Sequence, residues 1–151
     1  MRVHIATDHA AFEVKQFLVE ELTRRGYEIV DHGARDYDAL DDYPDFCIPC
    51  AEAVVGDPGS LGIVLGGSGN GEQIAANKVS GVRAGLAYNP ELARLTREHN
   101  DANVLSIGGR MQSSEEALEM ALVFLTTPYS NDPRHQRRID KLNAYEEQTK
   151  K

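Results

Sequence analysis

Cysteine, basic residues and long apolar stretches are scarce in this sequence. Its 151 residues include 2 cysteines, too few for the disulfide framework of a secreted protein. The apolar runs at 61–65 and 121–125 are far shorter than the roughly 20 residues of a membrane-spanning helix. Because 16 Lys and Arg face 24 Asp and Glu, the net charge is −8, which opposes nonspecific attraction to nucleic acid or anionic lipid. The polar N-terminus has no signal-peptide pattern, so we expect a cytoplasmic protein without membrane or nucleic-acid partners.

Short strand-like runs alternate with helical stretches along the chain, the pattern of an α/β domain with a buried parallel sheet. Length and composition predict a single domain over residues 1–151. We expect a Rossmann-like, flavodoxin-like three-layer sandwich with five parallel strands in the order 2-1-3-4-5 and a C-terminal helix. The predicted strands are 2–7, 27–32, 61–66, 83–88 and 104–108, and the predicted helices are 10–25, 44–55, 71–79, 90–99, 113–126 and 132–149.

A glycine-rich loop follows the predicted third strand. The stretch 66–71 has 4 glycines, so its backbone N–H groups can approach an anionic ligand at a strand-to-helix turn. The spacing does not fit a dinucleotide fingerprint. A Walker A loop also fails, because Glu72-Gln73 stand where Lys and Ser or Thr are needed. Glu72 is either a helix-start carboxylate stabilised by the helix dipole or a general base facing the crevice.

Three other polar groups are candidates for a site. Ligands of doubly wound sheets bind beyond the carboxyl ends of the strands, which brings Asp8-His9 close to the glycine loop as ligand-orienting groups, unless the pair only caps a helix. His99-Asn100 ends a helix at the amino edge of the sheet, so it is structural or serves the site of another subunit. Arg134 and Arg138 share a helix face and either bind one phosphate or form a solvated basic surface.

Two stretches resemble redox or metal motifs. Cys47-Ile48-Pro49-Cys50 has thioredoxin spacing, but it lies within a predicted helix, so we interpret both cysteines as core residues. Zinc would need two more suitably spaced ligands. The acidic stretch 36–42 lacks the glycine and terminal glutamate of a calcium loop and is predicted to be a solvated loop. We expect no metal site and no cofactor.

Five motifs together resemble the type B ribose-5-phosphate isomerases. They occur in the family's order along nearly the whole chain: Asp8-His9-Ala10, Gly66–Lys78, Glu98-His99-Asn100, Gly108-Gly109-Arg110 and Arg134–Arg138. The resemblance implies a metal-free homodimer that interconverts ribose 5-phosphate and ribulose 5-phosphate, as in the pentose phosphate pathway. It also implies an active site shared between subunits, and it leaves a tetramer open. Relatives act on allose 6-phosphate or galactose 6-phosphate.

One position departs from the common family pattern. Many members have a cysteine base where Gly66 stands, and this sequence resembles the actinobacterial branch, in which Glu72 takes the proton and Ser68 assists. The resemblance then implies that Glu72 carries the C2 proton to C1 through an enediolate, while His99 of the partner subunit and Asp8 serve the ring-opening oxygens. The expected substrate-binding groups are His9, Arg110, Arg134 and Arg138 for the phosphate, Gly67, Ser68, Gly69, Asn70 and Gly71 for the oxyanion, and Asn100 for a sugar hydroxyl or the loop, with Tyr43 near the pocket.

Two other functions stay open on the sequence alone. An isomerase of another sugar or sugar phosphate would use the same base. A noncatalytic sugar-phosphate-binding module would need the glycine loop and the arginines but neither Glu72 nor His99. Exchange of the substrate C2 proton with solvent separates catalysis from binding, since binding alone causes no exchange.

Overall fold

A wholly parallel, five-stranded sheet forms the middle layer of the computed structural model, which describes residues 1–150. The strands are β1 (Arg2–Thr7), β2 (Glu28–Asp31), β3 (Leu61–Gly66), β4 (Ala84–Ala87) and β5 (Val104–Gly108). The helices are α1 (Phe12–Arg24), α2 (Pro44–Val55), α3 (Asn70–Asn77), α4 (Pro90–Asn100), α5 (Ser114–Thr126) and α6 (Pro133–Thr149), and a short 3₁₀ helix, His9–Ala11, precedes α1. The predicted α/β class is confirmed, and each predicted element lies within about two residues of an observed one.

The strand order is β2-β1-β3-β5-β4, so the predicted order 2-1-3-4-5 is wrong. The strand β5 is buried along its whole length and pairs with β3, placing Gly108 beside Gly66. The shorter β4 contains two half-buried residues and takes the edge, where a short strand exposes few unpaired backbone groups. As a result, the segment after β5 lies directly beside the glycine loop that follows β3.

Apolar side chains pack on both faces of the sheet. The cluster that includes Leu18 and Phe124 joins α1 and α5 to one face, and a second cluster joins α2 and α3 to the other. Cys47 and Cys50 are fully buried in the second cluster as free thiols. Burial raises the pKa of both thiols, which disfavours the reactive thiolates. The interpretation of the C-x-x-C stretch as core residues is therefore confirmed.

The C-terminal helix α6 covers little of this core. Ile139 is its one buried residue within the described part of the chain, while Leu142 and Tyr145 are 61% and 68% exposed. It contacts α4 near the amino edge of the sheet and leaves apolar side chains facing outward. Among residues 1–150, no helix combines the length and apolar character needed to cross a membrane.

Candidate active site

The carboxyl ends of β1, β3 and β5 meet around the glycine loop. The Gly109 N–H donates to the Gly66 carbonyl at 2.7 Å, and the Arg110 N–H donates to the Gly67 carbonyl at 3.1 Å. The buried Ser106 hydroxyl donates to the Gly69 carbonyl at 2.7 Å. Because its carbonyls are bonded to β5 and the segment after it, the loop has a fixed shape.

Three backbone N–H groups of the glycine loop have no acceptor among residues 1–150. Gly69 has φ of +87°, and an added Cβ would lie 2.7 Å from Leu86 Cδ1, so both the backbone conformation and the space require glycine. Within residues 1–150, the N–H groups of Gly67, Ser68 and Gly69 donate to no acceptor. The Ser68 hydroxyl accepts from the backbone and side-chain nitrogens of Asn70, both at 3.2 Å. The three free N–H groups can stabilise an oxyanion.

The Glu72 carboxylate lies against this loop and is nearly buried, with the residue 4% exposed. A Cβ added at Gly66 would overlap the Glu72 carboxylate, so glycine at position 66 leaves the space that this carboxylate fills. Burial raises the pKa of Glu72, and the negative charge of Asp8 raises it further, while a backbone hydrogen bond lowers it. A buried carboxylate with a raised pKa is suited to take a proton from carbon.

Asp8 and Tyr43 border the same crevice. Asp8 is 6% exposed, and its Oδ1 accepts the Ala10 N–H at 2.9 Å, so the residue does cap the short 3₁₀ helix. The phenol ring of Tyr43 covers Gly71, since a Cβ added there would lie 2.6 Å from Tyr43 Cζ. The loop that carries Tyr43 therefore forms a wall beside the Glu72 helix.

Two basic side chains stand at the entrance to this crevice. His9 Nδ1 lies 2.7 Å from Asp41 Oδ1, and the His9 backbone N–H donates to the same oxygen at 3.0 Å. The hydrogen bond to Asp41 raises the pKa of His9. The Arg110 guanidinium lies over Gly67, with Nη1 3.4 Å from the position of an added Cβ. Both side chains can donate hydrogen bonds to an anionic group.

The remaining predicted site residues lie towards the amino edge of the sheet. Helix α4 runs from the carboxyl edge to the amino edge over about 16 Å, and Arg83, which precedes β4, donates to the Asn100 carbonyl at 2.8 Å. The His99 ring stacks on the ring of His135 in α6, with centroids 4.3 Å apart. His99 and Asn100 are thus at the amino edge, away from Glu72 of their own chain.

Arg134 and Arg138 of α6 also lie away from Glu72 of their own chain. Arg134 pairs with Asp132 at 3.1 Å and its side chain is 68% exposed. Arg138 is also exposed, one turn further along α6. The four basic residues predicted to bind one phosphate are therefore divided between two edges of a single chain.

A family model described as Ribose/Galactose Isomerase matches residues 3–142. The chain belongs to this isomerase family. Ribose-5-phosphate isomerase B of Mycolicibacterium paratuberculosis is 58% identical over 146 residues, which cover 97% of this chain and 92% of that relative.

Solved structures of other ribose/galactose isomerases share the whole fold. Ribose-5-phosphate isomerase B of Clostridium thermocellum has a TM-score of 0.94 at 38% identity, covering 99% of this chain and 100% of that one. The same enzyme of Mycoplasma genitalium, solved with bound ribulose-5-phosphate, has a TM-score of 0.94 at 38% identity and covers 98% of this chain and 97% of that one. The likeness therefore extends over nearly the full length of each chain.

Asp41 is a residue of the candidate site that sequence reasoning missed. It belongs to the acidic stretch 36–42, predicted to be a solvated loop, and most of that stretch is exposed. The Asp41 side chain is 9% exposed. The one available signal was position, because the loop after β2 starts at the same edge of the sheet as the glycine loop.

Asp8, His9 and Asp41 also have the donor types of a metal site. One donor atom from each lies within 4.8 Å of the others. His9 Nδ1 and Asp41 Oδ1 are already bonded to each other at 2.7 Å, and a metal ion would have to break that pair. We therefore interpret this cluster as a carboxylate–imidazole pair.

Proposed function

We propose that this chain is an aldose–ketose isomerase that interconverts ribose 5-phosphate and ribulose 5-phosphate, and that the whole chain acts as one isomerase domain. The observation that carries the proposal is the buried Glu72 carboxylate beside three unpaired loop N–H groups. Ribose-5-phosphate isomerase B relatives at 58% identity and the related structure with bound ribulose-5-phosphate support this substrate.

In the proposed reaction, Glu72 removes the proton from C2 of the opened sugar and returns it to C1. The electron pair of the broken C2–H bond forms the C1–C2 double bond, and the carbonyl pair moves onto O1, which gives an enediolate beside the N–H groups of the glycine loop. Each well-placed donor of this kind contributes roughly 3–4 kcal/mol to stabilising the developing charge. Ser68 would relay a proton between the two sugar oxygens. Asp8 of the same chain and His99 of the partner subunit would serve ring opening.

The burial of Glu72 favours catalysis over simple sugar-phosphate binding. Removing a carboxylate from water costs free energy unless hydrogen bonds or positive charge compensate it. The charge of Asp8 increases that cost. A binding module would gain nothing from such a carboxylate, whereas a general base gains a pKa closer to neutral pH.

We further propose that the enzyme works as a homodimer with each site shared between two subunits. His99, Arg134 and Arg138 lie too far from Glu72 to join it within one chain, and a second copy can supply them. Exposed apolar side chains on the outer helices offer the surface that such a dimer would bury: Ile74, Leu92, Leu142 and Tyr145. Arg134 and Arg138 of one subunit would then bind the phosphate together with His9 and Arg110 of the other.

We place this activity in the cytoplasm, as the two free, buried thiols suit a reducing compartment. The substrate is tested with a panel of aldose phosphates followed by NMR. We expect conversion of ribose 5-phosphate to exceed that of allose 6-phosphate and galactose 6-phosphate. Conversion of a hexose phosphate alone would overturn the proposed substrate while leaving the reaction type intact, and no conversion with any sugar would overturn both.

A further inference from the structure

Asp41 has no role in the proposed reaction, yet its contacts with the phosphate-binding candidate His9 are specific. Asp41 lies in the loop between β2 and α2, and Oδ1 receives the His9 backbone N–H and contacts His9 Nδ1. Both hydrogen-bonding contacts made by this side chain within residues 1–150 are therefore to His9. The carboxylate contributes no hydrogen bond to its own loop.

Within residues 1–150, the second carboxylate oxygen of Asp41 makes no contact of this kind. Oδ2 is buried and has no hydrogen-bond partner among the described residues. An unsatisfied buried acceptor costs free energy. The contacts that fix the position of this carboxylate are therefore the two that Oδ1 makes with His9.

We propose that Asp41 is a positioning residue that keeps His9 protonated and fixes its ring, so that His9 binds the substrate phosphate as a cation. The inference rests on the proposed function, in which His9 contacts the phosphate. With Nδ1 bonded to Asp41, the Nε2–H is the donor left for a ligand. A carboxylate partner of this kind also fixes the orientation of the imidazole ring.

The groups around His9 raise and lower its pKa. The hydrogen bond to Asp41 is the largest influence and raises the pKa of His9, burial lowers it, and the charges of Asp8 and Asp41 raise it again. The positive charge of Arg110 lowers it. The titratable and charged groups that face the ring or line the same cavity are Asp8, Glu13, Tyr37, Asp41 and Arg110.

The Asp41–His9 pair affects how phosphate affinity depends on pH. A phosphate monoester becomes a dianion above a pKa of about 6, and an unperturbed histidine loses its charge near pH 6.5. By raising the pKa of His9, Asp41 keeps the imidazolium present at a pH where the phosphate is doubly charged. Without Asp41, His9 would become neutral over this range and phosphate affinity would fall as pH rises.

The test uses the full chain with Asp41→Asn, and Asp36→Asn as the matched control, since Asp36 is an exposed aspartate of the same loop. The His9 titration is followed by NMR without substrate, and the affinity for inorganic phosphate is measured at pH 5.5 and pH 8. We expect Asp41→Asn to lower the His9 pKa, because the hydrogen bond to Asp41 is the largest influence that raises it. We also expect phosphate affinity at pH 8 to fall roughly tenfold, with values close to wild type at pH 5.5, and KM for ribose 5-phosphate to rise more than kcat falls.

An unchanged His9 titration in Asp41→Asn would overturn the inference, as would an equal loss of phosphate affinity at both pH values. A cycle with His9→Asn gives a second test, because Asp41→Asn should have no further effect on phosphate affinity once the imidazole is gone. A persistent effect in that background would also overturn it. These readouts need no turnover, so they separate failure of this inference from failure of the proposed isomerase activity.

Discussion

Glu72 is held in a position that is unfavourable for its own charge. The residue is 4% exposed, its carboxylate fills the space left by Gly66, and Asp8 adds a second negative charge nearby. Burial and the charge of Asp8 both raise the pKa of this carboxyl group, and a backbone hydrogen bond lowers it. A site built in this way exchanges folding stability for a stronger base.

Because burying the charged Glu72 carboxylate costs free energy, we expect Glu72→Gln to stabilise the folded chain. A raised pKa in the folded state means that the stability contributed by Glu72 is present below its unfolded pKa and is lost as pH rises through the folded value. Glu72→Gln removes the charge with little change of shape, so we expect a higher melting temperature at pH 7. The difference should shrink towards pH 4, where the native residue is protonated too. A lower melting temperature for Glu72→Gln at pH 7 would show that the carboxylate is compensated.

The same shift sets the pH dependence of turnover. The base must be deprotonated, so kcat should fall on the acid side with a midpoint above the ordinary glutamate pKa of about 4.3. A pH profile of kcat at saturating ribose 5-phosphate measures this midpoint. A midpoint at or below the ordinary value would contradict the raised pKa of Glu72.

At the scale of single elements, the end of β1 depends on a buried ion pair. Lys15 of α1 is fully buried and donates to both carboxylate oxygens of Asp31 at 2.8 and 2.9 Å and to the Ala34 carbonyl at 2.7 Å. The turn that it holds bonds Thr7 from both sides: the Thr7 N–H donates to the Gly33 carbonyl, and the Ala34 N–H donates to the Thr7 carbonyl. Asp8 follows Thr7 directly, so α1 supports the position of a proposed catalytic group.

Lys15→Met should therefore destabilise the chain. The substitution leaves Asp31 and the Ala34 carbonyl without their partner, and breaking a buried pair costs about 3–5 kcal/mol. Because the Asp31 side chain is 33% exposed, we expect the lower end of that range. Urea unfolding measures the change, with Lys78→Met as an exposed control. A loss no larger than that of the control would show that the pair contributes little.

Periodicity and turn residues predicted the elements, but not the pairing of β5 with β3. Helix α1, predicted over 10–25, ends at its C-cap Arg25, and Gly26 follows with φ of +93°. Both β4 and β5 are short apolar runs, and local sequence carries no information about which of them adds to β3. The buried Ser106, which donates to the Gly69 carbonyl, makes sense only with β5 in the inner position.

The site was predictable where it follows strand ends and not where it depends on a loop path. Asp8 and the glycine loop follow β1 and β3, so the parallel sheet alone brings them together. Asp41 reaches His9 through the course of residues 32–43, which have no regular element to fix their direction. Its neighbours Asp36 and Asp38 are exposed, so no property of the sequence separated the carboxylate that contacts His9 from the solvated ones.

At the scale of the whole molecule, the division of site residues between two edges predicts subunit complementation. If Glu72 and His99 of one site come from different chains, a hybrid dimer of Glu72→Gln and His99→Asn has one intact site and one doubly altered site. Mixing unfolded subunits in equal amounts and refolding them gives about half hybrid dimers, and so about a quarter of wild-type activity.

Each variant refolded alone is the control for this experiment and should stay nearly inactive. Light scattering on the same samples reports the subunit number, with a dimer expected and a tetramer formed by two such dimers compatible with the same result. A mixture no more active than its parents would show that both residues serve one chain or that no shared site forms.

The proton transfer assigned to Glu72 is tested most directly by following hydrogen at the sugar carbons. Ribose 5-phosphate is incubated in deuterated water, and NMR records both conversion to ribulose 5-phosphate and loss of the C2 proton. Wild type and Glu52→Gln, which alters an exposed glutamate of α2, should convert the sugar at similar rates. Glu72→Gln should bind the sugar with little loss of affinity yet slow both signals by several orders of magnitude. Conversion and exchange by Glu72→Gln at a rate near that of wild type would contradict the role of Glu72 as the base.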